Sequence, residues 1–234
     1  MTSVTRQLER IRNLTRIDGW RWGIAKAESE LWERYFCVDT SAASVEAERA
    51  VPAESIRYEP LPWFLVRRAV SALRLRPDDV FVDYGAGLGR ALLMAARTQL
   101  KRVVGVELLG PLVERARRNV LVAKPRLKAP VEVIAADATQ WDVPDDVSVA
   151  YLFNPFIGSV MKAVQGKLRA SLARRPRPLR VLYAHADDQA DLFAPCDWLA
   201  LAQRMDGGIY RNLQLKVYVS TPALQAEMCP PPLT

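Results

Sequence analysis

Residues 80–90 read Val-Phe-Val-Asp-Tyr-Gly-Ala-Gly-Leu-Gly-Arg, and this run limits the folds open to the chain more than any other. A β-rich apolar segment ends in an acid, passes glycines at alternate positions and enters a helical pattern. Gly85, Gly87 and Gly89 let the backbone turn sharply and approach a ligand where a Cβ would collide. Asp83 falls at the carboxyl end of the predicted strand, where open α/β sheets bind their ligands.

The flanking pattern repeats this unit. Strands are predicted at 80–84, 102–107, 131–135, 147–153 and 179–184, with helices at 88–98, 111–123, 158–173 and 187–193. Several strands are continuous apolar runs, as expected when helices cover both faces of a parallel sheet. Two further runs, 198–204 and 212–220, flank Asp206-Gly207-Gly208 and read as a hairpin. The expected architecture is a three-layer α/β fold: a mostly parallel seven-stranded sheet with a C-terminal antiparallel hairpin, plus an N-terminal helical extension. Before the first strand, residues 62–75 form a helical face opened by Pro60 and Pro62 and closed by Pro77. Residues 1–35 read as one or two amphipathic helices, with Leu8, Ile11, Leu14 and Trp22 or Ile24 as their apolar stripe. The expected division is an extension or lid over 1–55, a ligand-binding domain over 56–222 and a flexible tail over 223–234.

Composition excludes some classes. No apolar run approaches a bilayer span, and the charged N-terminus lacks the apolar core of a secretory signal. Cys37, Cys196 and Cys229 are odd in number and have no partner histidines, which suggests reduced thiols, no metal site and a cytoplasmic protein. The formal charge of +7 permits a nucleic-acid partner. The basic residues are scattered enough to fit solvated helix faces, so that partner is not favoured.

The strand ends carry the chemistry. The first ends in Asp83 and the glycines, the second in Glu107, the third in Asp137, the fourth in Asn154-Pro155-Phe156, and all lie along one sheet edge. Glu107 has the spacing of an acid that accepts hydrogen bonds from ribose hydroxyls. A dinucleotide site normally shows Gly-x-Gly-x-x-Gly with the pyrophosphate on a helix N-terminus. Here the spacing is Gly-x-Gly-x-Gly and an acid stands ahead of it. A carboxylate there repels phosphate and suits an ammonium or sulfonium. S-adenosylmethionine, a nucleoside with a cationic amino-acid tail and no phosphate, meets that description.

Over about residues 55–220 the chain resembles the class I, Rossmann-like S-adenosylmethionine-dependent methyltransferases. The resemblance rests on Val-Asp-Tyr-Gly-Ala-Gly-Leu-Gly, Val-Val-Gly-Val-Glu, Ala-Ala-Asp-Ala and Asn-Pro-Phe. More narrowly, Arg-Tyr-Glu-Pro, Gly-Val-Glu-Leu and Tyr-Leu-Phe-Asn-Pro-Phe resemble small bacterial relatives of the Rossmann-type histone lysine methyltransferases. The resemblance implies that Asp83, Gly85 and Gly87 hold the methionine portion, Glu107 the ribose, and Asp137 with Ala138 the adenine edge. It implies ligand contacts for Tyr58, Glu59 and Leu108, and it makes Asn154, Pro155 and Phe156 the segment facing the methyl group, with Asn154 also bordering the cofactor. In amine methyltransferases a related motif with two prolines positions the acceptor nitrogen. This chain has only one and so departs from that motif; the resemblance still favours nitrogen as acceptor, with oxygen and carbon left open. The acceptor is then an amine-bearing small molecule, peptide or protein. Trp63, Trp141, Phe153 and Phe156 are candidates for an apolar lining, and His185, just past the fifth strand, either borders that pocket or packs near a helix start. The rival readings are a cofactor-binding module without catalysis and, more weakly, a nicotinamide oxidoreductase.

Overall fold

The structure is a computed structural model that describes residues 19–41, 61–153, 155–187, 189–208 and 210–221. Tyr58, Glu59 and Asn154 lie outside the described residues, as do Leu8, Ile11, Leu14, Cys229 and the tail.

Seven strands form one sheet: β1 (Val80–Tyr84), β2 (Arg102–Glu107), β3 (Val131–Ala135), β4 (Val149–Phe153), β5 (Arg180–Ala186), β6 (Leu199–Gly207) and β7 (Tyr210–Ser220). Their order is β3-β2-β1-β4-β5-β7-β6. The first five are parallel, β1 pairing with β2 and β4 on either side. β7 enters antiparallel between β5 and β6, so the expected hairpin also supplies a strand to the sheet interior. The change of direction from β1–β2 to β1–β4 opens the crevice in which such sheets hold ligands.

Among the described residues, five α-helices flank the sheet: α1 (Gly19–Phe36), α2 (Trp63–Ala72), α3 (Arg90–Ala95), α4 (Gly110–Ala123) and α5 (Gly158–Arg174). One buried cluster joins Phe81, Val103, Val133 and Tyr151 to α2 and α3, and a second joins Val82, Tyr84, Val104 and Leu152 to α5. Alternate residues of β1 thus feed opposite layers, which is why the strand is apolar throughout. Gly105 in β2 is required by this packing. A Cβ there would lie 2.6 Å from Leu92 Cδ1 and 2.9 Å from Ala86 Cβ.

Two expectations are corrected. The predicted helix at 187–193 is absent: the described part of that span is bends and turns. Asp191 instead spends its carboxylate pinning the loop to the sheet, accepting from Lys216 Nζ at 2.6 Å, Tyr218 and two local backbone N–H groups. The other is the Ile24 alternative for the apolar stripe of α1, since Ile24 is exposed while Ala25 and Phe36 are buried. Aromatic stacking seats this helix, with Phe36 and Trp63 ring centroids 5.3 Å apart and Trp32 stacked on both. Among the described residues, no helix is long and apolar enough to cross a membrane.

Candidate active site

The glycine turn is built as the sequence requires. Gly85, Gly87 and Gly89 all have positive φ (74°, 53° and 90°), and Gly89 leads into α3. The turn folds over the end of β2: Gly85 N donates to Val106 O at 2.9 Å, and Gly87 N to Glu107 Oε2 at 2.8 Å. Glu107 Oε1 accepts from Leu109 N at 3.0 Å. One carboxylate therefore ties the β1 turn to the β2 turn and keeps lone pairs for further donors. Asn119 of α4 adds a buried bond from Nδ2 to Leu88 O at 3.0 Å, a contribution with no sequence signal beyond a polar residue on an apolar helix face.

Asp83 is only 4% exposed and accepts no hydrogen bond from the described residues. Burial, reinforced by the nearby Glu107 charge, pushes its carboxyl up to about 8. Two acids thus share a dry turn with no cation facing them among the described residues. A buried carboxylate without a partner is costly. An ammonium or sulfonium placed there would remove the cost, and a phosphate would raise it.

The other strand ends converge on the same edge. Asp137 Oδ1 accepts from Thr139 N at 2.7 Å and Thr139 Oγ1 at 2.8 Å, which fixes the loop that carries Ala138. Leu108 is 45% exposed and follows Glu107 directly in the chain. Pro155 meets the glycine turn directly: a Cβ on Gly85 would fall 2.8 Å from Pro155 Cβ. Phe156 is buried in the cluster containing Tyr84 and Tyr183. The structure therefore brings together Asp83, Gly85, Gly87, Glu107 and Pro155, with Leu108 beside Glu107 and Asp137 and Ala138 at the next strand end.

Trp63, expected in the acceptor lining, is fully buried and donates from Nε1 to Glu33 Oε1 at 2.9 Å. It belongs to a polar latch that sequence reasoning missed. Arg90, first residue of α3, donates to Thr40 Oγ1 at 2.6 Å, to Glu33 Oε1 at 3.0 Å and to Leu61 O. The guanidinium also lies over the Trp63 ring, 5.3 Å from its centroid. Arg90 thereby joins the end of the glycine turn to α1 and to the chain on both sides of residues 42–60. Among the described residues, no cluster of His, Cys, Asp and Glu could hold a metal.

The fold, the glycine turn and the paired acids resemble those of class I S-adenosylmethionine-dependent methyltransferases, and the proteins this chain is similar to are methyltransferases. Residues 22–129 match the model of the family described as histone methylation protein DOT1. The chain is 33% identical over 66 residues to a protein-lysine N-methyltransferase of Saccharolobus islandicus, a match covering 28% of this chain and 41% of that protein. It is 34% identical over 90 residues to ribosomal RNA small subunit methyltransferase A of Thermobifida fusca, covering 38% of this chain and 31% of that protein. The matches thus span less than half the length of either relative. Among solved structures, an RNA methyltransferase from Salinibacter ruber in complex with S-adenosyl-L-homocysteine superposes with a TM-score of 0.52 at 26% identity, covering 69% of this chain and 94% of that one.

Proposed function

We propose that this protein binds S-adenosylmethionine along the β1–β4 edge and transfers its methyl group to an acceptor nitrogen. The observation that carries this reading is the buried Asp83 carboxylate, which has no partner among the described residues, beside a turn of positive-φ glycines. The bound cofactor supplies an electrophilic methyl group on a positively charged sulfur. Asp83 and the glycine turn would hold the cationic amino-acid tail, Glu107 the ribose hydroxyls, and Asp137, Ala138 and Leu108 the adenine. Glu107 suits its role because its two backbone bonds hold it in place before any ligand arrives, so little freedom is lost on binding. Tyr58 and Glu59 complete the cofactor contacts in this reading.

The acceptor is assigned to Asn154, Pro155 and Phe156. Pro155 packs against Gly85, so the segment starts next to the turn that holds the donor. In-line transfer needs donor and acceptor held about 3–3.5 Å apart, and positioning is the main contribution the protein makes. The likeness to a protein-lysine N-methyltransferase supports an aliphatic amine as acceptor.

An RNA acceptor is the second reading, favoured by the ribosomal RNA and RNA methyltransferases among the matches and by the formal charge of +7. Transfer that falls steeply with salt and disappears after nuclease treatment of the acceptor would establish it.

The test pairs two variants. Asp83→Asn is expected to weaken cofactor binding at least about 100-fold, the effect of losing a buried charge pair. Asn154→Ala is expected to leave binding within about threefold while lowering single-turnover transfer by about 10²-fold, the scale of a lost positioning contact. Unchanged turnover in Asn154→Ala would remove the acceptor role from that segment.

A further inference from the structure

His185 is the only histidine in the chain. It is the last residue but one of β5, the strand that flanks β4, one position beyond Ala184, whose β4 partner is Phe153. It therefore stands at the carboxyl edge of the sheet, beside the point where the chain enters Asn154-Pro155-Phe156.

The ring is held on two sides. It stacks on Tyr183, with centroids 5.0 Å apart and planes 21° apart, and Tyr183 shares a buried cluster with Phe156. Nδ1 lies 2.8 Å from the carbonyl oxygen of Ala186. A carbonyl oxygen can only accept, so Nδ1 carries the proton and, in the neutral ring, Nε2 presents a bare lone pair. The residue is 3% exposed, and its Nε2 is buried with no hydrogen-bond partner among the described residues.

The neighbouring polar groups do not claim it. Lys216 and Tyr218 of β7, which share this face, both donate to Asp191. Burial pushes the Asp191 carboxyl up, but those two hydrogen bonds outweigh it and hold the group below its ordinary range. That set satisfies itself. An acceptor lone pair left unmet in a native interior carries a desolvation penalty and calls for an explanation.

We infer that His185 Nε2 is the proton acceptor for the amine that receives the methyl group. This inference rests on the nitrogen-acceptor reading above and adds to it the base that the strand-end acids do not supply. An aliphatic ammonium has no lone pair for attack, and its unperturbed pKa is about 10.4. In the proposed step one N–H bond of the ammonium breaks and its electron pair stays on the amine nitrogen. The proton bonds to Nε2, and the ring, already protonated at Nδ1, becomes an imidazolium. The carbonyl of Ala186 holds the tautomer in which Nε2 is free, and the Tyr183 stack holds the ring plane.

A lone histidine makes the test direct. Protein carrying ¹⁵N-histidine and no histidine tag gives a single pair of ring-nitrogen resonances. At neutral pH, saturated with S-adenosylhomocysteine, Nδ1 is expected in the protonated range and Nε2 in the unprotonated range. Titration with Nα-acetyl-lysine amide, which bears a free ε-amine, should move Nε2 and leave Nδ1 in place. His185→Gln should bind S-adenosylhomocysteine within about threefold of wild type, yet transfer methyl to that amine about 10²- to 10⁴-fold more slowly in single turnover. A proton on Nε2, an Nε2 unmoved by saturating amine, or a His185→Gln rate within about threefold of wild type overturns the assignment. Failure of the wild-type protein to bind S-adenosylhomocysteine contradicts the methyltransferase reading itself, and the role of His185 with it. An unmoved Nε2 with wild-type turnover intact contradicts the histidine assignment alone.

Discussion

Asp83 sets the behaviour of the site, because a carboxyl held near about 8 is largely protonated at neutral pH until a cation arrives. Binding a cationic ligand then requires the proton to leave. Cofactor affinity of the wild type should climb by up to about tenfold per pH unit below that value, and Asp83→Asn should show no such climb. The unliganded fold behaves oppositely. The folded-state value lies above the ordinary one near 3.8, so the contribution of Asp83 to stability is present at low pH and lost as pH rises through about 8. Asp83→Asn should therefore melt above the wild type at pH 8 without ligand and lose that advantage at pH 4, as read by thermal denaturation at the two values. Gly85→Ala meets two obstacles at once, a positive φ and a Cβ 2.8 Å from Pro155. It should lower stability by about 1–3 kcal/mol, or roughly 2–4 °C in Tm per kcal/mol, and weaken cofactor binding by calorimetry. These residues were legible in the sequence because acid, glycine and strand end lie within a few positions of one another. The Arg90 contacts were not, because an arginine at a helix start has the same sequence signature whether it faces water or three separate segments.

At the scale of elements, the strands and four of the flanking helices followed from the sequence pattern, whereas the span 187–193 and the seating of α1 did not. The span 187–193 has a helical composition but no helix, since Asp191 is committed to Lys216 and Tyr218 across the loop. A tertiary ion pair outweighed local propensity there. In α1 the exposure of Ile24 has a related reason: the helix is seated by Trp32 and Phe36, which stack with Trp63, a partner distant in sequence. The latch among Arg90, Glu33 and Thr40 makes α1 part of the glycine-turn layer. Its Arg90–Glu33 pair is partly buried, with side chains 12% and 21% exposed. Arg90→Gln and Glu33→Gln should each lower Tm, and the double variant should fall short of their sum by about 0.5–3 kcal/mol in a double-mutant cycle. A sum that is simply additive would mean that the two side chains do not act together.

For the molecule as a whole, a sheet ordered β3-β2-β1-β4-β5-β7-β6 sets three strand-end acids and the Pro155 segment along one edge. The proposed chemistry lies there, while the opposite edge is held by ion pairs such as Asp79 with Arg180 and Asp146 with Arg102. The identity of the acceptor was not legible, because recognition of an acceptor depends on surfaces gathered from distant segments, with no short motif. What was legible is the sign of charge the crevice prefers. Titration calorimetry of the purified protein against S-adenosylmethionine and against a pyridine dinucleotide measures that preference directly. The account predicts saturable heat with the sulfonium nucleoside, greatly reduced in Asp83→Asn, and none with the dinucleotide. Binding of the dinucleotide without binding of S-adenosylmethionine would contradict it.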